Sequence, residues 1–323
     1  MSVVLTKYRV LNAIRCYASY ALSRFGSVRI FHGPVFVSVE PAAVCQLKCP
    51  ACPVGQGKGD RLKVIGDRTM SREVWQRVLT EIRETACIVQ FYFQGEPLLN
   101  KDLPQMVAEA HEAGIYTILS TNAQAMTPDL AEALVKAGLD RIIVSMDGLT
   151  QASYEAYRVG GSLDKCKAAL RYLREAKDKL RGSTTIELQC LRLRTNEHEW
   201  TQFKREYKVL GADMLVFKTA QLYDYQNGHP LMLSNERYSR YTKGEDGLFH
   251  RKKLRKGCRR VWSGVVITTN GEVLPCCYDK GHQFAYGNIM NAPMKELFGN
   301  DKANAFRRAA LKELPSICKE CYR

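Results

Sequence analysis

From Val35 onward, short β-branched and apolar stretches alternate with longer amphipathic ones, and this order limits most strongly what the chain can become. Strand-like runs fall at Val35–Val39, Ile88–Phe93, Tyr116–Ser120, Arg141–Ser145, Ile186–Leu193 and Met214–Lys218. Helical stretches lie between them, starting near Ser71, Asp102, Thr127, Leu163 and Asn196, with the Ser71 hydroxyl suited to capping free N–H groups. Strands that alternate with helices pack as βα units around a parallel sheet, and this number of units gives a partial (β/α)6 barrel. Such a barrel gathers its chemistry at the carboxyl ends of its strands, so the residues just after each strand carry the functional argument.

After about residue 220 the alternation stops. A polar stretch with Asn227, Gly228 and His229 leads into a basic run, Arg251, Lys252, Lys253, Arg255, Lys256, Arg259 and Arg260, which reads as a solvated linker. Val261–Thr268 and Glu272–Leu274 flank Thr269-Asn270-Gly271, a turn signal for a small β-hairpin, and short helices follow around Met294–Phe298 and Lys302–Leu311. The expected division is an N-terminal helical segment (1–34), a barrel (35–220), a linker (221–256) and a small α+β domain (257–323). In residues 3–24, Leu5, Tyr8, Leu11, Ile14 and Ala18 recur at mostly helical spacing, with Lys7, Arg9, Arg15 and Arg24 between them. The helix so predicted either packs over one end of the barrel or, as a basic amphipathic helix, makes peripheral contact with a membrane surface.

The chain has 12 cysteines, and the meaning of that number depends on compartment. Its apolar runs are too short and interrupted to cross a bilayer and its N-terminus lacks a secretory h-region, so a cytoplasmic location is expected. Reducing thiol pools there rule out a disulfide scaffold and turn attention to metal. The net charge of +15 speeds encounter with anionic partners without selecting among them. A zinc-binding nucleic-acid protein would share charge and thiol count, but no aromatic–basic stacking motif accompanies them, and no nucleic-acid partner is expected.

Cys45, Cys49 and Cys52 lie in the loop after the first strand, with three and then two residues between them. Three thiolates on a tight loop can hold three corners of a four-iron cluster and leave the fourth iron open, whereas zinc normally asks for a fourth protein ligand close by. Farther on come Cys258, the hairpin glycine Gly271 and Cys276, then Cys318 and Cys321. Four thiols can close a second site, a structural zinc site being the alternative to a cluster.

This pattern resembles the radical S-adenosylmethionine (SAM) superfamily, whose signature is Cys-x3-Cys-x2-Cys after strand one. Gln94-Gly95-Glu96-Pro97 resembles the family's Gly-Gly-Glu-Pro, apart from Gln94. The resemblance implies that Gly95, Glu96 and Pro97 lie at the SAM amino group, with Glu96 contacting it. Ser120 and Asn122 after strand three, and Ser145 and Asp147 after strand four, resemble segments facing the SAM ribose and methionine part, and Arg158 an arginine that pairs with the SAM carboxylate. Ala51 departs from relatives that place an aromatic against the adenine, and Gln46 stands where Asn is frequent. The C-terminal cysteines resemble the SPASM and shorter twitch extensions, which implies an auxiliary cluster held by Cys258, Cys276, Cys318 and Cys321. Cys277, whose side chain points away from that of Cys276 on an extended backbone, is left as a hydrogen-donor candidate.

The implied cofactors are SAM and two 4Fe–4S clusters, one binding SAM and one auxiliary, with an electron donor such as flavodoxin or ferredoxin. The implied activity is reductive cleavage of SAM to a 5′-deoxyadenosyl radical that takes hydrogen from a substrate C–H bond. The first expectation for the outcome is oxidation of a carbohydrate-like or other small polar substrate. The alternatives are modification of a ribosomally made peptide and thiol-dependent sugar epimerisation.

Overall fold

The computed structural model describes residues 5–57, 68–252 and 257–321. Lys253, Arg255 and Lys256 of the basic run lie outside the described residues. After helix α1 (Lys7–Ser23) come β1 (Phe36–Val39), α2 (Arg72–Ile82), β2 (Ile88–Phe91), α3 (Leu103–Glu112), β3 (Tyr116–Thr121), α4 (Pro128–Lys136) and β4 (Arg141–Ser145). They are followed by α5 (Gln151–Glu155), α6 (Leu163–Leu180), β5 (Thr185–Arg192), α7 (Trp200–Glu206) and β6 (Met214–Thr219). Strands β1 to β6 pair in sequence order, each parallel to the next, which is the parallel α/β barrel sheet expected. The side-chain hydroxyls of Ser71, Thr127 and Ser162 cap α2, α4 and α6.

Successive strand residues point to opposite faces. Val37, Val39, Val89, Phe91, Leu119, Ile142, Val144, Ile186 and Leu188 face the helices and join one core with Trp75, Met106, Leu134 and Leu170. Cys190, 0% exposed, belongs to that helix-side core. The residues between them, such as Gln90, Ser120, Ser145 and Gln189, occupy the inner face, where an Arg141–Glu187 ion pair also sits.

The C-terminal part continues the same sheet. Beyond a short hairpin, β7 (Tyr241–Lys243) with β8 (Phe249–Arg251), come α8 (Arg260–Ser263), β9 (Gly264–Ile267), β10 (Glu272–Leu274) and β11 (Gly287–Asn288). Strand β9 pairs parallel with β1, on the edge that β2 does not use, and β10 and β11 follow antiparallel. The Thr268–Gly271 turn takes glycine because its φ is +86°. The strand expected from Val261 is a helical turn as far as Ser263. There the Val261 carbonyl accepts from Nε of the buried Arg307, on the later helix α10 (Asp301–Lys312), preceded by α9 (Met294–Gly299) and followed by α11 (Ser316–Lys319).

Helix α1 forms as expected, but its orientation is the reverse of the common one. Arg9, Asn12, Cys16, Ser19 and Ser23 are the buried residues, while Tyr8, Leu11 and Ile14 face outward. Arg9 donates to the carbonyls of Arg83, Ala113 and Gly114 at the ends of α2 and α3, where a cation complements the helix dipoles. Asn12 bridges Gly33 and Thr85, and the Cys16 thiol donates to the Trp262 carbonyl.

Candidate active site

The loop after β1 is placed by backbone contacts from three later segments. Glu96 N–H donates to the Val44 carbonyl at 2.8 Å, Lys48 N–H to the Val159 carbonyl at 3.0 Å, and Ala43 N–H to the Arg68 carbonyl at 2.8 Å. Within the loop, Cys52 N–H donates to the Cys49 carbonyl at 3.1 Å. Cys45 receives two donors, Leu47 N–H at 3.4 Å and the Asn122 amide at 3.3 Å. Burial pushes the Cys45 thiol up, against the pull of the Leu47 N–H and the Asn122 amide, and pushes Cys49 up to about 11, against the pull of the Arg158 charge. Each of Cys45 and Cys49 lies within electrostatic reach of Cys52.

The other motif segments meet this loop. The Glu96 side chain is 3% exposed, and its carboxylate accepts from Leu98 N–H at 3.1 Å, the Thr121 hydroxyl at 2.6 Å and Asn122 N–H at 2.8 Å. Both oxygens are thus engaged by the chain itself, so this carboxylate ties the end of β3 to the segment after β2. These bonds hold the Glu96 carboxylate beside the cysteine loop with acceptor capacity left over, compatible with the SAM amino contact that the resemblance implies. Gly95 lies so close to the cysteine loop that a Cβ there would overlap the Ala42 carbonyl oxygen and stand 2.8 Å from that of Val44. Gly95→Ala is therefore expected to cost about 3 kcal/mol or more by pushing on backbone, and to lower iron content after anaerobic reconstitution. Denaturant melts and iron assays on wild type and variant check this.

Asp147 is fully buried at the end of β4. Its carboxylate accepts from Leu191 N–H at 2.6 Å and from Arg158 Nε at 2.6 Å. Burial lowers the pKa of the Arg158 guanidinium, but Asp147 and then Cys49 outweigh it and hold that pKa well above its ordinary value. A planar fork has further donors to offer a ligand carboxylate. Ser145, 6% exposed, ends β4, Ser120 lies half-buried on β3, and Pro97 opens a short 3-10 turn beside Glu96. The structure thus brings Gly95, Glu96, Asn122, Asp147 and Arg158 around Cys45 and Cys49.

Two contributions were not read from sequence. The stretch expected to be a linker supplies Leu222, Leu231, Met232 and Tyr241, which pack with Leu47, Cys49, Ala51, Tyr157, Leu193 and Ala220 around the cysteine loop. The apolar triplet Leu231-Met232-Leu233 inside polar surroundings was the available signal. Gln94 also has a use, since its amide donates to the Lys280 carbonyl at 3.1 Å while Lys280 Nζ donates to the Tyr223 hydroxyl at 2.7 Å. These contacts join the barrel to its C-terminal part.

The second cysteine group gathers beside the β9–β10 hairpin. The Cys276 thiol, pushed up mainly by burial, feels Cys277, Cys318 and Cys258, and Cys318, raised by burial to about 11, feels Cys258 and Cys321. Cys321 N–H donates to the Cys318 carbonyl at 3.1 Å. Cys277 lies within electrostatic reach of the half-buried Tyr92 just after β2. The loop after Cys276 is fixed by the buried Asp279 carboxylate, which accepts from Gln283 and Phe284 N–H groups. Among the described residues no three His, Cys, Asp or Glu side chains converge tightly enough to hold a single metal ion. A four-iron cluster makes a different demand, since each thiolate binds its own iron. The donor types fit such clusters, and the Arg158 fork fits a carboxylate.

A groove of about 870 Å³ between α1, α2 and α9 opens at the amino ends of the strands, and none of the candidate residues lines it. No described helix is long and apolar enough to cross a membrane.

The sequence matches the Radical SAM superfamily over residues 39–188 and the SPASM iron-sulfur cluster-binding domain over residues 258–322, together about two thirds of the chain. It is 26% identical to the PqqA peptide cyclase of Ruegeria pomeroyi, covering 90% of this chain and 80% of that protein. It is 22% identical to the AdoMet-dependent heme synthase of Methanosarcina barkeri, covering 91% and 90%. Among solved structures, SuiB of Streptococcus suis bound to its precursor peptide SuiA superposes with a TM-score of 0.66 at 15% identity, over 95% of this chain and 73% of that one.

Proposed function

The chain belongs to the radical SAM superfamily and carries a SPASM iron–sulfur domain, and from that membership we propose that it removes hydrogen from a C–H bond of a peptide substrate. It is a radical SAM enzyme whose cofactors are SAM and two 4Fe–4S clusters. When bound, these supply one-electron cleavage of SAM and the radical that attacks the substrate.

The observation that carries the reading is the convergence of Gly95–Glu96, Asn122 and the Asp147–Arg158 pair on one cysteine loop at the carboxyl ends of the strands. In this proposal Cys45, Cys49 and Cys52 ligate the SAM-binding cluster and the Asn122 amide orients Cys45. Arg158, held by Asp147, takes the SAM carboxylate, and Ser120 and Ser145 line the SAM pocket. Cys258, Cys276, Cys318 and Cys321 hold the auxiliary cluster. The neighbours of Cys276 favour it over Cys277 as ligand, and Cys277, near Tyr92, is left as a hydrogen donor.

A peptide is favoured over a free sugar by the likeness to a peptide cyclase across most of both chains. The edge of the sheet agrees, because among the described residues β6 has only one partner strand, and it is half-buried along most of its length. An extended peptide can pair with such an edge. The carbohydrate-like substrate remains a second reading, favoured by the amide and hydroxyl groups of Gln90, Ser120, Ser145 and Gln189 on the inner face. Incubating reconstituted enzyme with SAM and deuterated candidates tests both. Deuterium passing into 5′-deoxyadenosine from a peptide supports the first reading, and transfer from a sugar but from no peptide overturns it.

A further inference from the structure

Nine of the fifteen exposed large apolar side chains among the described residues lie within residues 5–31. A surface helix ordinarily turns its apolar stripe to the core. Helix α1 does the opposite: its polar residues are spent on carbonyls at the amino end of the barrel, and Val10, Leu11, Ile14, Tyr17 and Leu22 form an outward face, 41 to 67% exposed, extended by Phe25 at 89%. The polar contacts of Arg9 and Asn12 fix this orientation, so the apolar face is presented by a docked helix and not by a loose tail. Contiguous apolar exposure of this kind marks an interaction surface.

Charge indicates what covers it. No acidic residue precedes Glu40, and Lys7, Arg15, Arg24 and Arg29 are all exposed around the face. A second copy of the same face would bring these cations against their own kind. An apolar stripe with aromatic residues and flanking Lys and Arg instead fits the boundary between headgroups and acyl chains of an anionic bilayer. We propose that α1 and the following residues to Phe31 dock the protein, peripherally, on anionic lipid surfaces. The face lies at the amino ends of the strands, where α1 touches Gly33, Thr85, Gly114 and Trp262, so docking leaves the cysteine loop at the carboxyl ends open to water.

Flotation of the full chain with vesicles of phosphatidylcholine, alone or mixed with phosphatidylglycerol, tests this. Wild type is expected to float with the mixed vesicles, less so as salt rises, and little with phosphatidylcholine alone. Ile14→Asp, at a position 60% exposed, should weaken partition by about tenfold or more while leaving SAM cleavage unchanged. Lys7→Glu with Arg15→Glu should act in the same direction. Wild type that stays free of the mixed vesicles, Ile14→Asp that binds as wild type does, or a wild-type dimer that this substitution splits would each overturn the proposal.

Discussion

Replacing Cys45, Cys49 and Cys52 together by Ala is expected to halve the iron of anaerobically reconstituted protein, from about eight to about four per chain, and to abolish SAM cleavage. The two cysteine groups are held by different parts of the chain. The first hangs on the loop after β1, supported by Glu96 and Asn122, and the second on the hairpin and α11. Loss of one group therefore leaves the other's ligands in place. The cluster that survives in the triple variant is expected to have every iron bound by protein, so its electron resonance signal, once reduced, should not move when SAM is added. The complementary variant, with Cys258, Cys276, Cys318 and Cys321 replaced, should keep a signal that does move. SAM cleavage by the triple variant would refute the assignment.

Arg158→Ala should damage both stability and cofactor binding, and the two effects can be separated. Asp147 is fully buried and its partner is Arg158 at 2.6 Å. Removing the guanidinium leaves an uncompensated carboxylate, a change that typically costs about 3 to 5 kcal/mol and is read in a denaturant melt. The double variant Arg158→Met with Asp147→Asn removes the stranded charge and should recover much of that loss. SAM affinity should not recover with it, because the fork that would grip the carboxylate is still missing. The expected deficit is about 1.5 to 3 kcal/mol, or ten- to over a hundredfold. Wild-type SAM affinity in the double variant would place Arg158 outside the cofactor site.

The parallel sheet was legible because its strands are short β-branched runs set apart by amphipathic stretches, and the motif segments because each ends a strand. What periodicity does not tell is which face of a helix meets the protein. In α1 the spacing of Leu11, Ile14 and Ala18 announced a helix, yet Arg9 and Asn12 found their partners in carbonyls far along the chain and turned the apolar side out. Long-range pairing also hid the contacts of Glu96, whose carboxylate accepts from Thr121 and Asn122, brought alongside by the β2–β3 register. Val261 and Trp262 read as strand residues, but the buried Arg307 claims the Val261 carbonyl that a ladder would have used. The polar look of residues 227 to 229 masked a neighbouring apolar run that walls the cysteine loop.

The pairing of β9 with β1 bears on the order in which the chain is made. Strand β1 leaves the ribosome early, finds β2 about fifty residues later, and must then wait until Gly264–Ile267 arrives for its other edge. Through most of synthesis the strand that leads into the first cysteine loop is an unpaired edge, the kind of surface on which nascent chains associate wrongly. A contact of such sequence separation is slow to close and comes late. A fragment ending before Gly264 would keep every residue of the first cysteine group yet leave that edge bare. The strand that leads into the first cysteine loop therefore gains its second neighbour only when the last fifth of the chain arrives.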